Sequence, residues 1–321
     1  MKTQSSTNIV DGKDLVTKTQ FGVVILDVVM SNPNGCIDSD NAPRDGWISS
    51  QCYKHKVRNL ISNKEGVTWD YIKSEMDLND DNFNIFESPH KGFDVTSQKE
   101  AIKELKEMIK SDGDQIMSDR YWDNRVFGSL SLEKKPPSKK GSKKDSSSEE
   151  PVPISFKRTG VAQFTPLRSI LNLNVIEGTL TKANSLSEDK IEDENSAIGS
   201  RAIKVVEHAV YFGYYVINPT DAHVIGTTNK DIDLLKFLMP HAFDCSTSAC
   251  RAGINTLHVY HAETDSPLSS GDRFAFNNMV IPKAIDPDMY SSKSVEDYSF
   301  AAIEDLRKAF PNLKITDLKN P

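Results

Sequence analysis

The sequence predicts an α+β protein, in which strands and helices are mixed and long polar segments interrupt them. A segment from Phe21 to Met30 is apolar except for Asp27, which is typical of a strand buried in a sheet. The residues at 47–63 indicate an amphipathic helix. Two later segments, 204–218 and 254–261, are rich in β-branched and aromatic residues, which favours further strands.

The first predicted strand has two different faces. Alternation places Val24, Leu26 and Val28 on one face, which can pack on helices. Asp27 lies on the other face beside Ile25, and we expect that face to be partly open.

The helix predicted at 47–63 also has two sides. Val57, Leu60 and Ile61 form its apolar side. Lys54 and Arg58 are four residues apart and form a basic side.

The remaining elements follow from local patterns. Ser97 and Glu100 have the spacing of a capping box, and Ser294 is a possible helix cap. These patterns predict helices at 97–110, 231–243 and 295–310 and a strand at 273–281 (RFAFNNMVI).

Length and composition limit the class of protein. The 321 residues are 37% hydrophobic, which is enough for a large core. The N-terminus has no apolar segment typical of a signal peptide, and the longest apolar stretch is too short to cross a bilayer, so we expect a cytoplasmic protein without membrane contact. The four cysteines show no framework spacing and are expected to be reduced thiols. The net charge of −7 disfavours a protein coated with basic surface.

Two segments interrupt the order of strands and helices. Residues 134–150 are rich in lysine and serine and have almost nothing apolar to bury, so we expect a flexible loop. Residues 177–200 are acidic and polar between two strand patterns, which suggests a protruding hairpin.

The common catalytic motifs are missing from the sequence. It contains no GxxxxGK[ST], GxGxxG, GxSxG or HExxH motif. His258 and His261 fall on opposite faces of a strand and are not expected to share a metal ion. DSDNAPRDG begins like a calcium loop, but Pro43 replaces the required glycine. We expect neither a metal nor a cofactor.

A polar loop follows the first strand and is the strongest candidate for binding. Asn32, Pro33, Asn34 and Gly35 suit a tight turn, and a connecting turn is the simplest interpretation. The loop that follows is rich in amides and carboxylates and leads through Arg44 into the helix with the basic side. So many hydrogen-bonding side chains favour a binding role.

Several motifs in the same order resemble one known family. They are NPNG after the first strand, N-x-PR, K-x-K-x-R in the helix, SDRYWDNRVFGSL, RTGVAQFTPLRSI, AIGSRAIKVVEHAVYFGYYV and STSACRAG. From about Phe21 to Ala284 the chain resembles the crRNA-binding backbone subunit of type I CRISPR Cascade complexes, in the type I-B and I-C branch. It departs from the family pattern at Cys36, Ile198 and Ser246.

The resemblance implies a modified RNA-recognition-motif core, with a ferredoxin-like βαββαβ order and long insertions. It divides the chain into a polar N-terminal arm, one palm domain and a C-terminal tail, at 1–20, 21–310 and 311–321. The expected insertions in the palm are a helical or web insertion at 64–130, the flexible loop at 131–153 and a thumb at 177–203.

The resemblance also implies a function. Members polymerise along the guide RNA and hold it for base pairing with the target DNA strand, so protein contacts go mainly to phosphate and sugar. The implied partners are neighbouring copies of the chain, a large subunit and a subunit that binds the repeat end. The residues expected to contact RNA are Asn32, Asn34, Gly35, Arg44, Lys54, Arg58, Arg120, Arg125, Arg168, Gly199, Arg201, Lys204 and Arg251.

Two other functions stay open from the sequence. The first is an endoribonuclease of a related RNA-binding fold that processes guide RNA or cuts target RNA. In it, Asp27, Asp38, Asp40 or a histidine would position or activate a 2′-hydroxyl or a water molecule. The simpler interpretation of Asp38 and Asp40 is that they hold the loop through local hydrogen bonds. The second is an acidic interaction protein that binds no RNA.

Overall fold

The fold comes from a computed structural model. It describes residues 9–10, 13–34, 46–87, 107, 109, 115–132, 155–182, 199–245, 248–268 and 271–321. The loop at 134–150 and most of the predicted helix at 97–110 lie outside the described residues. Within those ranges, no helix is long and apolar enough to cross a membrane.

The described strands and helices alternate along the chain. The strands are β1 Ile9–Val10, β2 Lys13–Asp14, β3 Gln20–Ser31, β4 Trp47–Ile48, β5 Gly128–Leu132, β6 Ser155–Thr159, β7 Ala162–Phe164, β8 Leu167–Ser169, β9 Val175–Lys182, β10 Gly199–Ile217, β11 Ile254–Glu263, β12 Lys283–Ala284, β13 Tyr298–Ser299 and β14 Lys314–Asp317. The α-helices are α1 Ser50–Ser62, α2 Val67–Met76, α3 Gln115–Arg120, α4 Trp122–Phe127, α5 Ala222–Ile225, α6 Asn229–Leu238, α7 Asp272–Val280 and α8 Ile303–Ala309. Short 3-10 turns lie at Met239–His241, Ala249–Arg251 and Val295–Asp297.

One large antiparallel sheet organises the chain. Its strand order is β14-β11-β3-β10-β8-β4, and β7 and β9 also pair with β10. The long strand β10 runs beside β3 from the Val206–Ser31 pair to the Ile217–Gln20 pair. This architecture confirms the predicted α+β class.

The first face of the sheet packs on helices. Val24, Leu26 and Val28 are buried in one cluster with Tyr53 and Val57 of α1 and with side chains of α6. Burying several large aliphatic and aromatic side chains together contributes about 1.5 to 3 kcal/mol for each one. The predicted alternation in β3 is therefore confirmed.

The second face is covered over β3 by the C-terminal part of the chain. Val23 and Ile25 pack in a second cluster with Phe276 of α7 and Leu306 of α8. The edge of this face stays open, because Trp47 on β4 is 50% exposed. Trp47 is therefore an accessible part of this face.

Three predicted strands and two predicted helices are present. β3, β10 and β11 confirm the strands expected at 21–30, 204–218 and 254–261. α1 begins at Ser50, with Ser49 accepting a hydrogen bond from the Cys52 backbone, so Trp47 and Ile48 form a short strand before the helix. α6 ends at Leu238 and continues as a 3-10 turn.

β9 and β10 are the two strands of the hairpin that was predicted at 177–200. These strands pair from Val175–Val206 to Lys182–Gly199. The residues between the two strands lie outside the described residues.

Two predictions for the C-terminal part are wrong. RFAFNNMVI forms helix α7, because Phe276 and Val280 are four residues apart and bury on one helical face while Phe274 is 76% exposed. The predicted helix at 295–310 is split into a 3-10 turn, the strand β13 and the short helix α8. Ser294 caps the turn instead of a long helix, and Tyr298 pairs with Ala284.

The prediction of four reduced thiols is wrong for Cys250. This residue is disulfide-bonded, whereas Cys52 and Cys245 are in the thiol form. The cysteine spacing gave no sign of a disulfide, because the bond depends on folded proximity and not on spacing along the chain.

His261 makes stability depend on pH. Burial lowers the pKa of His261 to about 3, and its Nδ1 lies 2.9 Å from the Tyr215 hydroxyl. Unfolded histidine has a pKa near 6.5, so the unfolded chain binds more protons below that pH and stability falls as the pH falls. We expect His261 to cost about 1.4 kcal/mol between pH 7.5 and 5.5. Urea unfolding of the wild type and of His261→Gln at both pH values measures this.

The same experiment contains its control. Other titrating groups are common to both proteins and cancel in the comparison. An equal pH dependence in wild type and His261→Gln would contradict the buried neutral state of this side chain.

Candidate nucleic-acid interface

Asn32 joins distant segments at the end of β3. Its backbone N–H donates to the Cys250 carbonyl at 2.7 Å, and its side-chain amide donates to the Lys204 carbonyl at 3.0 Å. Its Oδ1 accepts the backbone N–H of Asn34 at 3.1 Å, which is an Asx turn. The asparagine of the NPNG motif is thus buried and holds the turn in place.

The turn before β11 is fixed against the same strand end. Gly253 donates its N–H to Ser31 Oγ at 3.0 Å, and the Val29 N–H donates to the Gly253 carbonyl at 2.8 Å. A Cβ on Gly253 would lie 2.0 Å from the Val29 carbonyl, so only glycine allows this approach. Arg251, two residues earlier, is thereby placed beside the end of β3.

Arg251 and Lys204 bring positive charge to this strand end. The Arg251 Nε is buried without a hydrogen-bond partner in the described part of the chain. The Lys204 ammonium pairs with Glu177 at 2.8 Å, directly across the β9–β10 ladder, and both side chains are partly exposed. We call Asn32, Asn34, Lys204 and Arg251 the strand-end cluster.

The backbone is strained next to the strand-end cluster. Met30 has φ of +44°, which a long side chain rarely adopts, and its side chain is about half exposed. Such a conformation costs of the order of 1 to 3 kcal/mol and occurs often at functional sites. The two backbone hydrogen bonds at Val29 and Asn32 hold it there.

Arg168 lies on a different part of the surface. It is exposed on β8, opposite Trp47 of β4, and its Cζ is 5.3 Å from the ring centre of Phe212. Asn34 links the two places, since its side-chain amide donates to the Trp47 carbonyl at 2.6 Å.

The basic side of α1 points into the protein. The Arg58 side chain is 4% exposed and pairs with Asp123 at 3.1 Å and with Glu87 at 3.0 Å. Its Cζ also lies 4.8 Å from the ring centre of Phe127, and Lys54 Nζ lies 5.5 Å from the same ring. Burial lowers the pKa of Lys54, and the nearby Arg58 adds to that effect. The predicted division of α1 into an apolar and a basic side is correct, but the basic side is buried.

Arg125 is equally enclosed. Its guanidinium donates to both carboxylate oxygens of Asp231, at 3.0 and 2.7 Å, and to the carbonyls of Ser118 and Asn82. The same carboxylate accepts the Thr228 N–H at 2.8 Å and forms the capping box of α6. Arg125 thus ties α4 to the start of α6. RNA contact by Lys54, Arg58 and Arg125 stays a prediction.

The other predicted residues are distributed as follows. Arg120 is exposed at the end of α3. Gly199 and Arg201 lie on β10 opposite Lys182 and Leu180. Gly35 and Arg44 lie outside the described residues, as do Asp38 and Asp40.

The carboxylates that neutralise two of the arginines could not be recognised from the sequence alone. Asp123 and Asp231 are 65 and 106 residues away from Arg58 and Arg125. Asp231 alone carried a local signal, because Thr228 precedes it by three residues as in a capping box.

Asp27 occupies an enclosed position on the second face. Its Oδ1 is 3.1 Å from His208 Nε2 on β10, although the two atoms are not aligned as a hydrogen bond. His208 Nδ1 lies 2.7 Å from Ser292 Oγ, which accepts the Tyr298 hydroxyl at 2.8 Å. His208 and Ser292 are buried, so this chain of polar groups lies inside the protein.

One protein family matches most of the chain. The family model described as CRISPR-associated protein Cas7 matches residues 18–303. The chain belongs to the Cas7 family. This Cas7 chain has no match among curated protein sequences.

The solved structures that match this chain include chains of CRISPR complexes. A chain of a CRISPR RNA-guided surveillance complex in a pre-nicking state is 12% identical, with a TM-score of 0.39, and the match covers 92% of this Cas7 chain and 90% of that chain. A chain of a CRISPR RNA-guided surveillance complex is 12% identical, with a TM-score of 0.36 and coverages of 92% and 91%. A chain of the Type III-B Cmr-beta complex bound to cognate target RNA is 12% identical, with a TM-score of 0.34 and coverages of 75% and 60%.

Proposed function

We propose that this Cas7 chain is the backbone subunit that polymerises along CRISPR guide RNA in a type I Cascade complex and holds the guide for pairing with target DNA. The observation that carries the proposal is the strand-end cluster in a chain of this family. Asn32, Lys204 and Arg251 come from three distant parts of the sequence and meet at one end of the sheet. Asn32 is buried and holds the other two in place, and the Lys204 ammonium and the Arg251 guanidinium are groups that contact phosphate.

The strand order supports a ferredoxin-like core. The chain order β3-α1-β8-β10-α6-β11 is βαββαβ, and in the sheet the four strands lie as β11-β3-β10-β8, all antiparallel. In a ferredoxin-like sheet the first and third strands are central, and here β3 and β10 take those two positions. We propose that the β9–β10 hairpin is the base of the thumb and that the segment between α1 and β6 contains the web.

The partners follow from the same proposal. Copies of the chain would stack along the RNA, beside a large subunit and a subunit that binds the repeat end, in the cytoplasm. The net charge of −7 fits such an assembly, because positive charge is needed only along the RNA groove and acidic surfaces can face neighbouring subunits.

The proposal predicts the salt dependence of RNA binding. Arg251→Ala and Lys204→Ala are each expected to weaken binding of all RNA sequences alike. The slope of log K against log salt is negative, and each variant is expected to reduce its magnitude by about 0.7 if one phosphate contact is lost. Fluorescence anisotropy with a labelled single-stranded RNA at several salt concentrations measures both values. Lys308→Ala is the control, because this exposed lysine lies on α8 and pairs with Asp305 in its own helix. If the slope is unchanged in both variants, Lys204 and Arg251 do not contact the RNA phosphates.

Light scattering tests the function itself. We expect the mass of the complex to rise stepwise as the guide RNA is lengthened, with the RNA left intact. A single protein per RNA at every length would contradict a backbone subunit.

We propose that the subunit is not catalytic. An endoribonuclease needs a group that reaches the RNA, and Asp27 is enclosed beside His208 on the second face. If the pure protein cleaves guide or target RNA and Asp38→Ala loses that cleavage, the protein is an endoribonuclease.

A further inference from the structure

Trp47 is an exposed tryptophan whose backbone is fixed in the sheet. Half of its surface is open to solvent, whereas Trp69 and Trp122, the other two tryptophans, are fully buried. Tryptophan is enriched at binding interfaces, because its ring offers a large apolar surface and its N–H a hydrogen-bond donor.

The backbone at Trp47 is held from three sides. Trp47 pairs with Arg168 and Ile48 pairs with Leu167, which fixes the register of β4 on β8. Ile48 and Leu167 are buried on the helix side of the sheet, so alternation turns Trp47 and Arg168 to the opposite face. Asn34 donates its side-chain amide to the Trp47 carbonyl at 2.6 Å.

Gly46 fixes the approach to this strand. Its φ is +85°, and a Cβ there would lie 2.2 Å from Ser169 Oγ. Only glycine combines this conformation with this close approach. The exposed indole is therefore presented by a defined backbone and not by a loose loop.

A row of side chains crosses the sheet at this level. Trp47 of β4, Arg168 of β8 and Phe212 of β10 are successive partners in the ladder. Directly opposed residues in an antiparallel pair have Cβ atoms about 4.5 to 5.5 Å apart. The Arg168 guanidinium lies over the buried Phe212 ring at 5.3 Å, and Tyr214 contacts that ring edge-on at 5.6 Å. We call Trp47, Arg168, Phe212 and Tyr214 the edge platform.

The charge of the edge platform favours an anionic ligand with a flat ring. Arg168 forms no ion pair with any carboxylate in the described part of the chain. A guanidinium packed on an aromatic ring and placed next to an open indole offers a cation for a phosphate and a flat surface for a base. A neutral acyl chain or a purely apolar peptide would leave the guanidinium without a counter-charge.

We propose that the edge platform binds single-stranded RNA, with an unpaired base stacked on Trp47 and the adjoining phosphate on Arg168. This inference rests on the proposed function and deepens it, because it adds a base-stacking site to the phosphate contacts of the strand-end cluster. Stacking on an aromatic ring accepts every base, so the site holds the guide without reading its sequence. Asn34 belongs to the strand-end cluster and binds the Trp47 carbonyl, which connects the two sites.

Trp47 is also the probe for the test. Because Trp69 and Trp122 are buried, the solvent-exposed part of the tryptophan emission comes from Trp47. Titration with an oligouridine short enough to bind one protein is expected to quench that emission, and Trp47→Phe is expected to lose the quenching while keeping most of the affinity. Trp47→Ala is expected to lose affinity about 5- to 150-fold, the range of base–aromatic stacking.

An abasic oligonucleotide separates the base from the phosphate. It is expected to bind the wild type more weakly than oligouridine does, and to bind Trp47→Ala and the wild type equally. Tyr71→Ala is the matched control, because Tyr71 is an aromatic residue of similar exposure (59%) on helix α2. Its affinity for oligouridine is expected to stay at the wild-type value.

The outcomes separate this inference from the proposed function. If the wild type binds oligouridine but Trp47→Ala binds equally well and the emission does not change, the edge platform is not an RNA site and the proposed function stands. If Trp47→Ala loses self-association and keeps its affinity for oligouridine, the platform contacts protein and the inference is wrong. If the wild type binds no RNA at low salt, both fail.

Discussion

Arg125→Ala is expected to lower the free energy of unfolding by about 3 to 5 kcal/mol, the cost of leaving one partner of a buried ion pair alone. The Asp231 carboxylate is 1% exposed, and the loss of Arg125 would leave it inside the protein without its cation. The carbonyls of Ser118 and Asn82 would lose their donors as well. Urea unfolding followed by circular dichroism measures the change.

Two variants control this prediction. Arg168→Ala removes an exposed arginine and its contact with the Phe212 ring, and is expected to change the free energy of unfolding by less than about 1 kcal/mol. Arg125→Lys keeps the charge but cannot donate to one carboxylate and two carbonyls in the same fork geometry, so we expect it to recover only part of the loss. Equal stability of Arg125→Ala and Arg168→Ala would show that the Arg125–Asp231 pair contributes nothing.

The sequence predicted the elements whose burial pattern is simple. β3 and β10 are apolar on both faces over most of their length, because helices cover one face and the C-terminal part of the chain covers the other. Such runs identify a buried strand from the sequence alone.

The wrong predictions come from segments that bury only a few side chains. α7 buries Phe276 and Val280 and leaves Phe274 exposed, so its aromatic residues suggested a strand although only the helical pair faces the core. Between 295 and 310 the apolar spacing fits a helix, but Tyr298 pairs with β12 and interrupts it. Here tertiary contacts override local preference.

The candidate site could be predicted only in part, because charge along a chain does not show where it is neutralised. Asn32, Lys204 and Arg251 are far apart in sequence, and the motifs nevertheless pointed to each of them. Arg58 and Arg168 look alike in sequence, yet one is enclosed with two carboxylates and the other is exposed. Trp47 was assigned to the start of a helix, and only the pairing of β4 with β8 shows that it faces solvent.

Arg58→Met is expected to lower the free energy of unfolding by about 3 to 5 kcal/mol, and Asp123→Asn in the same chain is expected to recover part of that loss. The Asp123 carboxylate is buried and accepts the backbone N–H groups of Phe86 and Glu87 as well as Arg58 Nε. Burial raises the pKa of Asp123, and Arg58 has the largest opposing effect. Arg58 is therefore the main group that stabilises the buried carboxylate charge.

A double-mutant cycle by urea unfolding distinguishes this structural role from RNA contact. Methionine keeps the packing on Phe127, and asparagine keeps one acceptor oxygen for the backbone donors but carries no charge. We therefore expect the double variant to be more stable than the sum of the single changes predicts, by about 0.5 to 3 kcal/mol. Simple additivity would contradict a direct Arg58–Asp123 interaction. If the folded double variant also binds guide RNA with the wild-type salt slope, the basic side of α1 stabilises the subunit while Arg168, Lys204 and Arg251 remain the candidates for RNA contact.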